Sequence, residues 1–266
     1  MNSNTSTSHK FIDSHCHFDF DEFEPDRPQV WNNCQRLGVS AAIIPGVSVL
    51  QWYRIAELAD QYRGIYFAAG LHPWWVEDKN SSEDAPLEKQ LVEMCKLPQC
   101  VALGEIGLDK IKGTSIELQT DVFECQLQIA NRLRKPVILH CRKAHNEMLE
   151  ILDQHPPVAG GVLHGYSGSF QQAQAYWQRG IYIGVGGTIS YDRATKTRAA
   201  VKSLPLDAIV LETDAPDMPL AGQQGKRNSP ENIPLIAQAL AQLKSITVQE
   251  VSEATVQNTM KLFGLK

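Results

Sequence analysis

Eight short apolar runs, rich in β-branched residues, recur along this chain with enough sequence between neighbours for a helix. They are FIDSHCHFD (11–19), AAIIPGV (41–47), IYFAAGLHP (65–73), VALGEIGLD (101–109), PVILHCR (136–142), GGVLHGYSG (160–168), IYIGVGGTIS (181–190) and AIVLETDAP (208–216). The segments between them carry helical periodicity, as in Ile55, Leu58, Ala59 and Tyr62, or Ile233, Ile236, Ala237 and Leu240. Strands this continuously apolar must be covered on both faces, which alternating helices achieve in a parallel sheet. The pattern predicts a single-domain α/β fold, a (β/α)8 TIM barrel, and 266 residues is close to the usual size for one. An open doubly wound sheet is the alternative, because strand number alone does not prove closure. Gly38, Gly64 and Gly180, in RLGVSAA, YRGIYFA and QRGIYIG, are placed to end helices in the left-handed conformation before the next strand. Thr247 to Glu250 reads as a capping box opening the last helix.

Polar residues enter these strands at their C-terminal ends: His15 and His17, His72, Glu105, His140, His164, and Glu212 with Asp214. In a parallel barrel those ends converge on one mouth, so residues distant in sequence meet there. His15 and His17 are two residues apart and share a strand face, with Cys16 pointing the other way. A lone buried histidine is more often a hydrogen-bonded core residue than a metal ligand. Four histidines and two carboxylates at one mouth favour divalent metal. Six such residues exceed the three or four protein ligands of one zinc ion, which suggests two cations with Glu105 between them. Two cations roughly 3.5 to 4 Å apart activate water and neutralise charge on a phosphoryl or carbonyl oxygen, so hydrolysis is the expected reaction. Zinc, magnesium, manganese and nickel all suit this donor set.

Asp13 and Glu212, each two residues before a ligand-type residue, are expected to orient imidazoles. His72 and Arg142 are candidate substrate contacts, each with an equally serviceable structural role. Arg193, Lys196 and Arg198, after the seventh strand, form a small basic group where barrel enzymes often hold phosphate. Trp74 and Trp75 offer faces for base stacking, although packing against a helix is the commoner use. A net charge of −5 argues against a broad electrostatic grip on duplex nucleic acid but leaves local contact open. The six cysteines form no CxxC pair and read as reduced thiols. The opening MNSNTSTSHK reads as a polar tail over residues 1–10, followed by the barrel over 11–266. With no signal peptide or spanning segment in view, a cytoplasmic location is expected, with no membrane association and no obligate protein partner. Dinucleotide-loop, P-loop and nucleophile-elbow spacings are absent from GVGGTI and GYSGS.

The motifs DSHCHFD, AAGLHP, ALGEIGLD, PVILHCR, LHGYSGS, ETDAP and NTMKLFG, in this order, resemble those of the TatD family of metal-dependent hydrolases, in the amidohydrolase-like barrel group. GVGGTISYDRATKTR with LETDAPDMPL further resembles a less characterised branch. The resemblance implies that His15, His17 and Asp214 hold one metal, that His140 and His164 hold a second, and that Glu105 bridges them. It also implies that Asp214 accepts a proton from the attacking water. Its implied activity is 3′ to 5′ trimming of DNA through phosphodiester hydrolysis, with nucleic acid as substrate. One departure stands out: after GLD, where many relatives carry an aromatic pair, this chain has Lys110 and Lys112. That keeps open a two-metal ester or amide hydrolase, such as a D-aminoacyl-tRNA deacylase. A non-catalytic metal-binding protein is a third class, disfavoured by the complete donor set.

Overall fold

The computed structural model describes residues 9–80 and 86–265, so residues 1–8 of the expected tail lie outside the described residues. Eight strands form one sheet in sequence order, every neighbouring pair parallel. They are β1 (Phe11–Asp13), β2 (Val39–Pro45), β3 (Ile65–Ala69), β4 (Cys100–Asp109), β5 (Val137–Arg142), β6 (Gly161–Leu163), β7 (Ile181–Val185) and β8 (Ile209–Leu211). Between them run α1 (Arg27–Arg36), α2 (Trp52–Gln61), α3 (Leu87–Met94), α4 (Ile116–Leu133), α5 (His145–Gln154), α6 (Phe170–Trp177) and α7 (Thr195–Ser203). Helices α8 (Ile233–Lys244) and α9 (Val248–Phe263) follow β8. Ser14 N–H donates to Leu211 O (2.9 Å) and Asp214 N–H to His15 O (2.9 Å), which ties the last strand to the first and closes the barrel.

Alternation along the strands divides the core in two. Ile43, Ala68, Ile138, Val162, Tyr182 and Val210 form an inner cluster joined by Leu262 and Phe263 of α9. Their neighbours Ile44, Phe67, Leu139, Leu163, Ile183 and Leu211 belong to the larger cluster with the helices. Gly38, Gly64 and Gly180 take φ of +86°, +91° and +75°, the conformation expected of helix-ending glycines. The Thr247–Glu250 capping box forms as expected, and Ser169 with Gln172 makes a second one. Among the described residues, no helix is long and apolar enough to cross a membrane.

Strands β1, β3, β6, β7 and β8 all end well before the apolar runs that announce them. β1 stops at Asp13, β6 at Leu163 and β8 at Leu211, so His15, His17, His164, Glu212 and Asp214 sit just past strand ends. Their side chains need a common point rather than a ladder, and the backbone leaves the sheet to supply one. Asp214 has φ of +56°, a sparsely populated conformation for a residue with a side chain.

Candidate metal centre

The inner face of the barrel positions the polar cluster. Ile138, Val162 and Val210 point inward, so His140, His164 and Glu212, two residues on, continue that face. After β1, Cys16 and Phe18 pack into the outer core, which leaves His15 and His17 facing the axis. In β4 the register shifts between Leu103 and Ile106. That irregularity re-aims the strand so that Glu105 turns inward.

Glu105 stands at the centre, 2% exposed. Its Oε2 lies 3.3 Å from His15 Nε2 and 3.8 Å from His17 Nε2. Its Oε1 lies 2.7 Å from His164 Nε2, 2.8 Å from His140 Nδ1 and 3.4 Å from His72 Nε2. Asp214 Oδ1 joins the first group, 3.4 Å from His15 Nε2 and 3.6 Å from His17 Nε2. Three donor sets each fall within 4.8 Å: His15, His17 and Asp214; His15, Glu105 and His164; His72, Glu105 and His140. His72 is therefore grouped with Glu105 and His140.

Several buried donors have no hydrogen-bond partner in this arrangement: both nitrogens of His15, Nδ1 of His17 and Nδ1 of His164. Buried polar atoms are normally satisfied, and among these His15 Nε2 faces both Glu105 and Asp214, where a cation would satisfy it. Burial drives the pKa of His15 well below its ordinary value and that of His17 down to about 4, leaving neutral imidazoles, the form that ligates cations. His164 goes the other way: burial opposes its charge, but Glu105, Asp214 and Glu212 raise its pKa to about 10. Burial likewise opposes ionisation of Glu105, yet the imidazoles of His164, His72 and His15 hold its carboxyl well below the usual range. Burial raises Asp214 to about 7 and Glu212 to about 8. Neutral imidazole nitrogens grouped with carboxylates in this way are a candidate donor set for a metal ion.

The surrounding residues differ in part from expectation. Asp13 does not touch an imidazole. Its carboxylate accepts from the backbone N–H of His15 (3.2 Å), and from the N–H (3.0 Å) and hydroxyl (2.6 Å) of Thr213, so it fixes the backbone on both sides of the β1–β8 seam. Glu212 accepts from the backbone N–H of Gly165 (2.5 Å), next to His164, and its Oε2 has no hydrogen-bond partner. The carboxylate that does hold an imidazole is Asp109, which sequence reasoning passed over. Its Oδ2 accepts from His140 Nε2 (3.2 Å) and Trp74 Nε1 (2.8 Å), while Oδ1 accepts from the N–H groups of Ile111 (2.7 Å) and Lys112 (3.0 Å). Its signal was present: Glu105, Gly107 and Asp109 alternate along one face at the end of β4.

A cavity of about 750 Å³ opens from this cluster, lined by His140, His164 and Asp214 at its base and by Arg142, Lys143 and Lys196 farther out. Arg193 and Arg198 do not converge with Lys196. Arg193 lies over the Tyr191 ring (4.7 Å), and Arg198 turns away to bond Ile189 O and approach Asp192 (3.8 Å). Residues two apart on a helix point to nearly opposite sides, which separates Lys196 from Arg198. Trp74 is held by Asp109 and covered by the Lys112 ammonium 3.6 Å from its ring centroid, while Lys110 is ion-paired to Glu147. The segment after Asp214 is tied down by Asn228, whose amide donates to Thr213 O (2.9 Å) and Asp217 O (2.8 Å), and by the Arg227–Asp26 pair.

The sequence model of TatD-related DNases matches residues 12–264. The metal-dependent hydrolase YjjV of Escherichia coli K12 is 42% identical over 258 residues, covering 96% of this chain and 98% of the relative. The 3′-5′ ssDNA/RNA exonuclease TatD of Citrobacter rodentium is 33% identical over 252 residues, covering 92% and 94%. The crystal structure of the E. coli YjjV protein superposes with a TM-score of 0.90 at 40% identity, over 96% of this chain and 98% of that one.

Proposed function

Since this chain belongs to the family of TatD-related DNases, we propose that it is a divalent-metal-dependent hydrolase that cleaves phosphodiester bonds of single-stranded nucleic acid, trimming from the 3′ end. The observation that carries the reading is the two-sidedness of Glu105, one oxygen toward His15 and His17, the other toward His140 and His164. In this reading His15, His17 and Asp214 would hold one cation and His140 and His164 a second, with Glu105 serving both. Zinc, magnesium, manganese or nickel in such a site supplies Lewis acidity, lowering the pKa of water and offsetting charge on the phosphoryl oxygens.

The chain's own groups do the rest. Asp214 is held in place through its N–H bond to His15 O and through the bracing of Thr213 by Asp13. Facing the cavity beside the cation it would hold, its carboxylate is suited to take a proton from attacking water. Asp109 keeps a proton on His140 Nε2 and so turns Nδ1 toward Glu105. His72 packs edge-on against His140, with ring centroids 4.3 Å apart, and walls the inner end of the site. Exonuclease activity in a 33% identical relative supports nucleic acid as substrate.

The test is turnover by metal-reconstituted protein on 3′-labelled single-stranded DNA and on an aminoacyl-tRNA side by side, with Asp214→Asn as control. Release of nucleotides from the DNA, lost in the variant, is expected. Release of the amino acid alone would replace this reading with that of a carbonyl ester hydrolase using the same centre.

A further inference from the structure

The cations of this protein divide into those already neutralised and those left over. Lys110 pairs with Glu147, Arg179 with Asp153, Arg227 with Asp26 and Arg198 approaches Asp192. Among the described residues, Arg142, Lys143 and Lys196 pair with no carboxylate, and all three line the cavity that begins at His140, His164 and Asp214. The sequence brings them there by different routes. Arg142 ends β5 and is exposed; Lys143 follows at φ of +59°, turning the chain sharply before α5; Lys196 lies in the first turn of α7.

Between them stands His145, whose Nδ1 lies 3.0 Å from the Tyr176 hydroxyl and 3.4 Å from Cys141 Sγ. Burial lowers its pKa, and the nearby charges of Lys196 and Lys143 lower it further. A braced ring therefore lines the same cavity as the two ammonium groups. Of the other residues lining the cavity, Lys110 is paired to Glu147 and Trp74 is bonded to Asp109 and covered by Lys112. The cavity-lining cations that pair with no carboxylate thus come from the end of β5 and the start of α7, in a chain of net charge −5. Three unpaired cations in one cavity are suited to a compact, strongly charged oxyanion, and guanidinium with ammonium suits phosphate.

We propose that Arg142, Lys143 and Lys196 form a subsite for a second phosphate of the substrate, the one next to the bond being cut. This rests on the phosphodiesterase reading above and adds to it a substrate requirement. The enzyme favours a diester that carries a neighbouring phosphate over an isolated diester.

The experiment compares a trinucleoside diphosphate, TpTpT, with a dinucleoside monophosphate, TpT, and with bis(p-nitrophenyl) phosphate, all with the metal-loaded full chain. We expect kcat/KM for TpTpT to exceed that for TpT by at least about tenfold. In Arg142→Met, Lys143→Met and Lys196→Met, singly and together, that ratio should fall toward one, mainly through KM for TpTpT. Lys196→Arg should restore it. On a longer oligonucleotide, the slope of log kcat/KM against log salt should flatten by about 0.7, as one phosphate is no longer neutralised by the protein. A merely structural role for these side chains would leave both the ratio and the salt slope in place. Cleavage of all three diesters by the unaltered enzyme with no preference for TpTpT, or a preference that survives the triple variant, overturns the subsite and spares the phosphodiesterase reading. Failure to cleave any of the three overturns both.

Discussion

Asp109→Asn is a one-atom change whose consequence can be worked from the contacts of the carboxylate. Asp109 accepts four hydrogen bonds: from Trp74 Nε1 (2.8 Å), His140 Nε2 (3.2 Å), Ile111 N (2.7 Å) and Lys112 N (3.0 Å). An asparagine has one acceptor oxygen. If that oxygen keeps the two backbone N–H groups, the new amide faces the donors of Trp74 and His140. Trp74 is then left unpaired at a cost of about 1–3 kcal/mol. His140 can avoid the clash only by moving its proton to Nδ1, the nitrogen 2.8 Å from Glu105 Oε1. That removes the lone pair the centre needs. Loss of such an orienting partner typically weakens metal affinity about 10–100-fold, equivalent to roughly 1.4–2.8 kcal/mol. The assay is titration of apo-protein with manganese or zinc against a chromophoric chelator, with thermal unfolding in EDTA to separate loss of fold from loss of affinity. We expect the weaker-binding ion to dissociate first and turnover to fall with it. A folded Asp109→Asn protein that binds both ions within threefold of the parent would refute the argument that Asp109 sets the tautomer of His140.

Glu105→Ala should lower bound metal to less than one ion per chain by elemental analysis, and retention of two would show that the cations do not share Glu105. Gly184→Ala would place a methyl 2.2 Å from Glu212 Oε2, in a residue pinned to Gly165 N. The expected cost is about 1–3 kcal/mol of overpacking, read as a lower urea midpoint at constant slope, and an unmoved midpoint would mean that Glu212 swings aside freely. Asn228→Ala removes the donors to Thr213 O and Asp217 O and the acceptor for Ser229 N (2.9 Å). It should cost about 2–4 kcal/mol in thermal unfolding and lower hydrogen-exchange protection between Asp214 and Ser229; protection equal to the parent's would contradict the role given to Asn228.

The barrel was legible because its signal is repetitive: eight apolar runs with glycine-ended helices leave little else to fold into. The central cluster was legible because imidazoles and carboxylates in apolar runs are costly unless they serve a purpose, and the alternation that hides Ile138, Val162 and Val210 inside also aims His140, His164 and Glu212. Strand ends were less visible, since the apolar character of FIDSHCHFD persists past Asp13 while the backbone has already left the ladder. Asp109 was passed over although it shares a face with Glu105, because spacing along β4 does not say that its carboxylate meets the His140 ring on the neighbouring strand. Asp13 was misjudged because strand spacing says where a side chain points but not whether it meets a ring or a peptide N–H. The basic group after β7 separated because helical geometry turns Arg198 away from Lys196, a fact the composition of YDRATKTR does not contain.

The seam between β1 and β8 also gives the molecule a history. Asp13 and Thr213 are hydrogen-bonded partners 200 residues apart in the chain, and His15 meets Asp214 across nearly the same distance. At roughly 5–20 residues per second on the ribosome, the imidazoles of the first motif wait roughly 10–40 s for the carboxylate that faces them. Throughout that interval a nascent chain carries the paired histidines without their counterpart, and strands β1 to β7 without the strand that closes the ring. Closing the barrel and completing the donor set are therefore the same event, and it waits for β8 and the residues just past it.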